Sequence, residues 1–193
     1  MPEPKKRTDI IHRTYYGDEE SGTIRMATLD KENHRAEFII TTEEPVKDSY
    51  YGPPRSLSMK GVNLKRYRMN PVVLAQHTHG PLEVVGKTIK VYTEGDKLIA
   101  LVEFDIDDEF SARVWGKIER GYLRAASVGY RVTRERIVEE GKEDKATGLV
   151  GPVSIATAWT LIEWSVVAVG ADAASLGREI EPESAEVKAG ADN

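Results

Sequence analysis

One segment constrains the fold of this chain more than any other. Val153–Val169 is apolar through most of its length, and its centre, Trp159-Thr160-Leu161-Ile162-Glu163-Trp164-Ser165-Val166-Val167, is fit for a core strand. No run of 18 apolar residues occurs, so nothing in the sequence is expected to cross a bilayer as a helix. The core-strand reading leaves one residue to explain. Glu163 is the only carboxylate inside the run, and an unpaired buried carboxylate is costly. It either sits at a solvent-facing edge or has a partner, such as a histidine N–H whose tautomer it would fix.

The rest of the body also reads mainly as strand. Ile24–Leu29 and Ala36–Thr42 are expected strands, and the Pro-containing stretch Glu43–Leu57 an exposed connection. Val72–His77 is a short apolar run ending in polar residues. Val84–Thr93 and Lys97–Asp105 flank Glu94-Gly95-Asp96, which is hairpin chemistry. The period then changes from two to four at Phe110, Val114 and Ile118. Asp107, Asp108 and Glu109 precede this stretch and Lys117, Arg120 and Gly121 end it, an order that suits a helix dipole and a helix stop. Strand returns at Leu123–Thr133, a charged loop is expected over Glu135–Gly148, and a short helical piece is expected at Asp172–Leu176. The expected organisation is an arm over residues 1–22, one domain over 23–177 and a mobile charged tail over 178–193, too poor in large apolar residues to offset its ordering entropy.

Composition narrows the chemistry. The chain of 193 residues contains no cysteine, which removes disulfides, thiolate metal sites and a cysteine nucleophile together. Its net charge of −5 argues against sequence-independent nucleic-acid binding, which needs clustered Lys and Arg. The opening MPEPKKRTD has no apolar stretch behind it and does not read as a secretory signal.

Four histidines are available. His12 and His34 read as surface residues, whereas His77 ends an apolar run, where a rigid element could hold its ring at a cleft; taken alone, the local sequence favours a strand-end histidine with no task. His77 and His79 would share a strand face and so raise a metal site, but no HExxH and no cysteine supplies the remaining ligands. Ser127 lies in Arg124-Ala125-Ala126-Ser127-Val128-Gly129-Tyr130, where small neighbours leave room for a carbonyl and Gly129 lets backbone approach. Alternation puts Ser127 with Ala125, Gly129 and Arg131 on one face; a serine on a solvated strand face is the ordinary alternative. The GxSxG elbow does not fit.

The order of these segments carries more than any one of them. Asn70-Pro71-Val72-Val73-Leu74-Ala75-Gln76-His77 resembles the N-P-V-x-L-x-x-H stretch of tailed-phage prohead maturation proteases, and Val85-Gly86-Lys87 is similar to the glycine-containing strand that follows it. Gly121-Tyr122-Leu123-Arg124-Ala125-Ala126-Ser127-Val128-Gly129-Tyr130 resembles that family's G-x-L-x-x-x-S-x-G-[FY] nucleophile strand. Leu161-Ile162-Glu163-Trp164-Ser165-Val166-Val167 resembles its L-x-E-x-S-x-V strand. The resemblance runs from about Ala36 to Leu176; the P-x-P-A-N ending of the family is replaced here by Ala168-Val169-Gly170-Ala171-Asp172.

That resemblance implies a catalytic serine, histidine and acid at Ser127, His77 and Glu163, with no metal and no cofactor. It implies an α+β, β-rich fold: a barrel-like, mostly antiparallel sheet with flanking helices, related to herpesvirus assemblin. The implied activity is serine endopeptidase cleavage of the major capsid protein or scaffold protein during prohead maturation. The implied place is the bacterial host cytoplasm, inside the assembling prohead. Self-cleavage and a homo-oligomer stay open, as do the oxyanion donors, for which Val128, Gly129 and the loop Gly148–Pro152 are candidates. A catalytically inactive capsid-assembly or scaffold protein with the same fold is the alternative.

Overall fold

The computed structural model describes residues 11–12, 29–47 and 52–170. Ten strands and two α-helices follow in chain order: β1 Ile11–His12, β2 Leu29–Asp30, β3 Arg35–Thr42, β4 Arg55–Leu57, β5 Val62–Asn63, α1 Lys65–Met69, β6 Val72–Ala75, β7 Val84–Glu94, β8 Lys97–Phe104, α2 Glu109–Glu119, β9 Ala125–Val138 and β10 Val153–Val167. All ten strands belong to one sheet, in the order β1-β9-β10-β6-β7-β8-β3-β2, with β4 and β5 added to the β10 edge beyond β6. The sheet is mixed, since β4, β5 and β6 run parallel to β10 while the other pairs are antiparallel. The β-rich α+β expectation therefore holds, but the sheet path does not close into a barrel. β3 comes near β9 without pairing to it, so the sheet curls and stops short of closure.

The long segment that opened the sequence reading is the hub. β10 pairs with β9 over its whole length on one side and with β4, β5 and β6 in succession on the other. Such a strand must be apolar on the covered face, and Trp159, Leu161, Trp164 and Val166 all join the principal core. Ala126, Val128 and Tyr130 of β9 meet them there, with Phe38, Leu98, Ala100 and Val102 from the far side of the sheet. Tyr130 stacks edge-on to Trp159 at 5.8 Å between ring centroids.

The helix expected around Phe110–Ile118 forms as α2. Asp108 caps it, its carboxylate accepting from the Ser111 N–H at 2.8 Å. Its buried stripe is Ser111, Val114, Trp115 and Ile118, and Phe110 lies at the partly exposed margin rather than on the stripe. The Ser111 hydroxyl donates to the Val85 carbonyl, which ties the helix to β7. Several short elements depart from the sequence reading. Arg55–Leu57, expected in an exposed connection, is a buried strand; α1 and β5 are further elements the periodicity did not indicate. The charged stretch Glu135–Gly148 is largely ordered: β9 continues to Val138, and Asp144 pins the turn by accepting from Arg136 Nε at 2.7 Å and from Thr147. The expected strand over Ile24–Leu29, apart from Leu29, the Asp172–Leu176 helix and the 178–193 tail lie outside the described residues. So does the arm except for Ile11–His12, which pairs with Tyr130 and Gly129 of β9.

Candidate active site

The site is assembled on three adjacent strands, with β10 in the middle. Its geometry begins with an irregularity. Leu161 pairs with Tyr130 and Glu163 with Gly129, which leaves Ile162 as an extra residue in β10. Because side chains alternate with period two, one inserted residue reverses the face on which all later residues point. Trp159 and Leu161 face the core before the bulge, and Trp164 and Val166 after it. Glu163 would have entered the core; the bulge turns it, with Ser165, to the opposite face.

The same face of β9 carries Ser127 and Gly129. Ser127 pairs with Ser165 and Gly129 with Glu163, and directly opposed side chains lie about 4.5–5.5 Å apart at Cβ. A side chain at Gly129 would run into Oε1 of Glu163, so glycine here makes room for the carboxylate. Ser127, Glu163 and Ser165 are all buried. The solvated-face alternative for Ser127 and the edge alternative for Glu163 are thereby both removed.

His77 arrives from the other flank of β10. It does not end a strand, as expected, but follows β6 by two residues in a turn where Gln76 and His77 both adopt left-handed backbone, φ 54° and 58°. Two consecutive non-glycine residues in that region cost about 1–3 kcal/mol each. Hydrogen bonds offset this cost: Gln76 N–H donates to the Val166 carbonyl at 3.0 Å, Thr78 N–H to Ala75 at 3.1 Å, and His77 N–H to Ser165 Oγ at 3.1 Å. The turn carries the ring back over β10, where Nδ1 lies 2.8 Å from Oε1 of Glu163. The His77 side chain keeps 18% exposure against 5% for Glu163, so the ring spans from a buried carboxylate to solvent. Ser165 Oγ donates to the second carboxylate oxygen, Oε2, at 2.9 Å.

The supporting shell on the core side of β6 is polar and closed. Tyr67 of α1 shares a hydrogen bond with Thr88 Oγ1 at 2.6 Å and donates to the Val72 carbonyl at 3.1 Å, while Trp164 Nε1 donates to the same Thr88 oxygen at 2.9 Å. Burial pushes the Tyr67 phenol well above its ordinary range, so it stays a neutral donor. These contacts fix β6 against the residue that follows Glu163.

Of the sequence-derived candidates, His77 and Glu163 are in direct contact, and Ser127 lies on the same face, across from the serine that touches both. The metal reading loses its premise, since His77-Thr78-His79 is a turn and not a strand face, and among the described residues no three histidine or carboxylate side chains gather as a metal would need. His34, read as a surface residue, packs edge-on to Trp115 at 5.8 Å. The Gly148–Pro152 loop lies at the far end of the β9–β10 ladder, beyond Val153; back from Ser165 that is about 40 Å of strand. It is too distant to donate to an oxyanion at Ser127. The sequence offers Ser165, two residues from Glu163, as a second serine to test for the nucleophile rather than as a partner of the acid, and the bulge at Ile162 is not among the expected features. The signal for the bulge was the switch in apolar parity from Trp159 and Leu161 to Trp164 and Val166.

Comparison of the chain with protein-family models, with curated proteins and with solved structures yields no match.

Proposed function

We propose that the protein is a serine endopeptidase in which Ser127 is the nucleophile, His77 the general base and Glu163 the acid that orients it. The observation that carries this reading is the 2.8 Å contact between His77 Nδ1 and a buried carboxylate. A carboxylate on Nδ1 selects the tautomer whose Nε2 is unprotonated, and a base of that kind can take a hydroxyl proton. Ser127 Oγ attacks a peptide carbonyl as Nε2 takes its proton; the imidazolium then returns that proton to the leaving amine. Water repeats the sequence on the acyl-enzyme, and Glu163 stabilises the imidazolium at each step.

The substrate in this reading is a capsid-assembly protein, major capsid or scaffold, cleaved in the host cytoplasm inside an assembling prohead. A fold related to herpesvirus assemblin belongs to the same proposal. Support comes from three separated motifs in the family's order and from a β-rich sheet on which Ser127 and Glu163 occupy neighbouring strands, with His77 in the turn that follows the next one, β6. The test is incubation of the purified protein with its neighbouring major capsid and scaffold proteins, followed by mass spectrometry of the fragments. Ser127→Ala should keep the fold and lower cleavage by about 10³-fold or more. Undiminished cleavage by the folded variant would sink the assignment.

A further inference from the structure

Ser165 closes a ring of hydrogen bonds that begins and ends on one residue. Its Oγ accepts from the His77 backbone N–H at 3.1 Å and donates to Glu163 Oε2 at 2.9 Å, while Oε1 of the same carboxylate meets His77 Nδ1 at 2.8 Å. The hydroxyl has no exposure to solvent, so water does not compete for either bond. One donor and one acceptor role are both used, which fixes the direction of the hydroxyl proton.

From this geometry we infer that Ser165 is a positioning residue for the histidine, rather than a second nucleophile. The inference rests on the reading above that His77 is the general base. Its hydroxyl proton is committed to a carboxylate, and one of its lone pairs to the N–H of the residue whose ring would have to activate it. Two consequences follow for His77. The left-handed turn that aims the ring is held at its backbone by Ser165, and the carboxylate that holds the ring is itself prevented from rotating. Alanine or valine at position 165 would suit a core strand equally well, but neither could make the two bonds.

The experiment uses the full chain labelled with ¹⁵N-histidine, with the His77 signals identified by their loss in His77→Ala. Wild type should show a ring Nδ1–H protected from exchange with water. In Ser165→Ala that exchange should be at least tenfold faster, and labelling of Ser127 by a fluorophosphonate should slow about tenfold through its maximal rate, with the half-saturating reagent concentration little changed. Ser165→Thr retains the hydroxyl and should recover both readouts. It also serves as the test should the alanine variant fold poorly. Unchanged exchange and unchanged labelling in folded Ser165→Ala would overturn the inference, as would peptide mapping that finds the phosphonate on Ser165. If wild type neither cleaves nor labels while Nδ1–H exchange still responds to Ser165→Ala, the protease reading fails and the positioning role stands.

Discussion

At Glu163 the two carboxylate oxygens have separate partners, His77 Nδ1 on Oε1 and Ser165 Oγ on Oε2. Glu163→Gln preserves the volume but replaces one acceptor oxygen by a donor NH₂ and removes the charge. The variant should melt near wild type yet cleave about 10³–10⁴-fold more slowly, as neutral replacement of a triad acid does elsewhere; kcat on a capsid-derived substrate together with a thermal melt checks this. Gly129→Ala attacks the same carboxylate from the other side. Its methyl would collide with Oε1, so either the carboxylate leaves His77 or β9 shifts. Chemical denaturation should show a loss of about 1–3 kcal/mol, and phosphonate labelling should fall with it. At this scale His77, Ser127 and Glu163 were legible as residue types in order, because a histidine, a small-flanked serine and a lone carboxylate each stand out against apolar surroundings. What holds them together was not. The αL turn at Gln76–His77 contains no glycine to announce it, and Ser165 looks like any strand serine until its two partners are seen.

Arg35 on β3, Glu103 on β8 and Lys87 on β7 are in register across three strands, with Arg35 donating to Glu103 Oε2 at 2.6 Å and Lys87 lying 2.7 Å from Oε1. The Lys87 bond first, and then the Arg35 bond, hold the Glu103 carboxyl below the ordinary carboxylate range. A carboxyl lowered in the folded state stabilises at pH values above its unfolded pKa of ~4.3, and that stabilisation is lost as pH falls through the lower folded value. Glu103→Gln should therefore lower Tm at pH 7, and the difference from wild type should shrink as pH falls below the unfolded carboxyl range and in high salt. Melting both proteins across pH and salt tests the sign. Elements of this length were readable: the β7–β8 hairpin around Gly95 and the capped α2 carry period, turn and cap signals at once. β4, β5 and α1 carry none. Arg55–Leu57 and Val62–Asn63 are too short for alternation, and Lys65–Met69 buries only Tyr67, so their places come from the β10 edge they cover.

Across the whole molecule, the strand with the most partners is also the last one described. β10 joins β9 on one side to β4, β5 and β6 on the other, and the partners on the β6 side lie some ninety positions earlier in sequence. Contacts of such long sequence separation make folding slow. They also make the core depend on the final segment, since Trp159, Leu161, Trp164 and Val166 all come from it. A chain ending at Val150 should show no cooperative thermal transition and no protected amides in the β6–β7 region, measured by calorimetry and hydrogen exchange. Retained protection there would show that the earlier strands fold without β10. The open sheet path was beyond the sequence reading, because strand order follows from pairings that no local pattern encodes. The central place of β10 also sets a timetable. During synthesis His77 and Ser127 leave the ribosome well before Glu163 and Ser165, and the bonds that aim the imidazole do not exist until β10 has been made. If the protein is the peptidase proposed, translation itself delays its activity, and no incomplete copy can digest the assembly proteins being made around it.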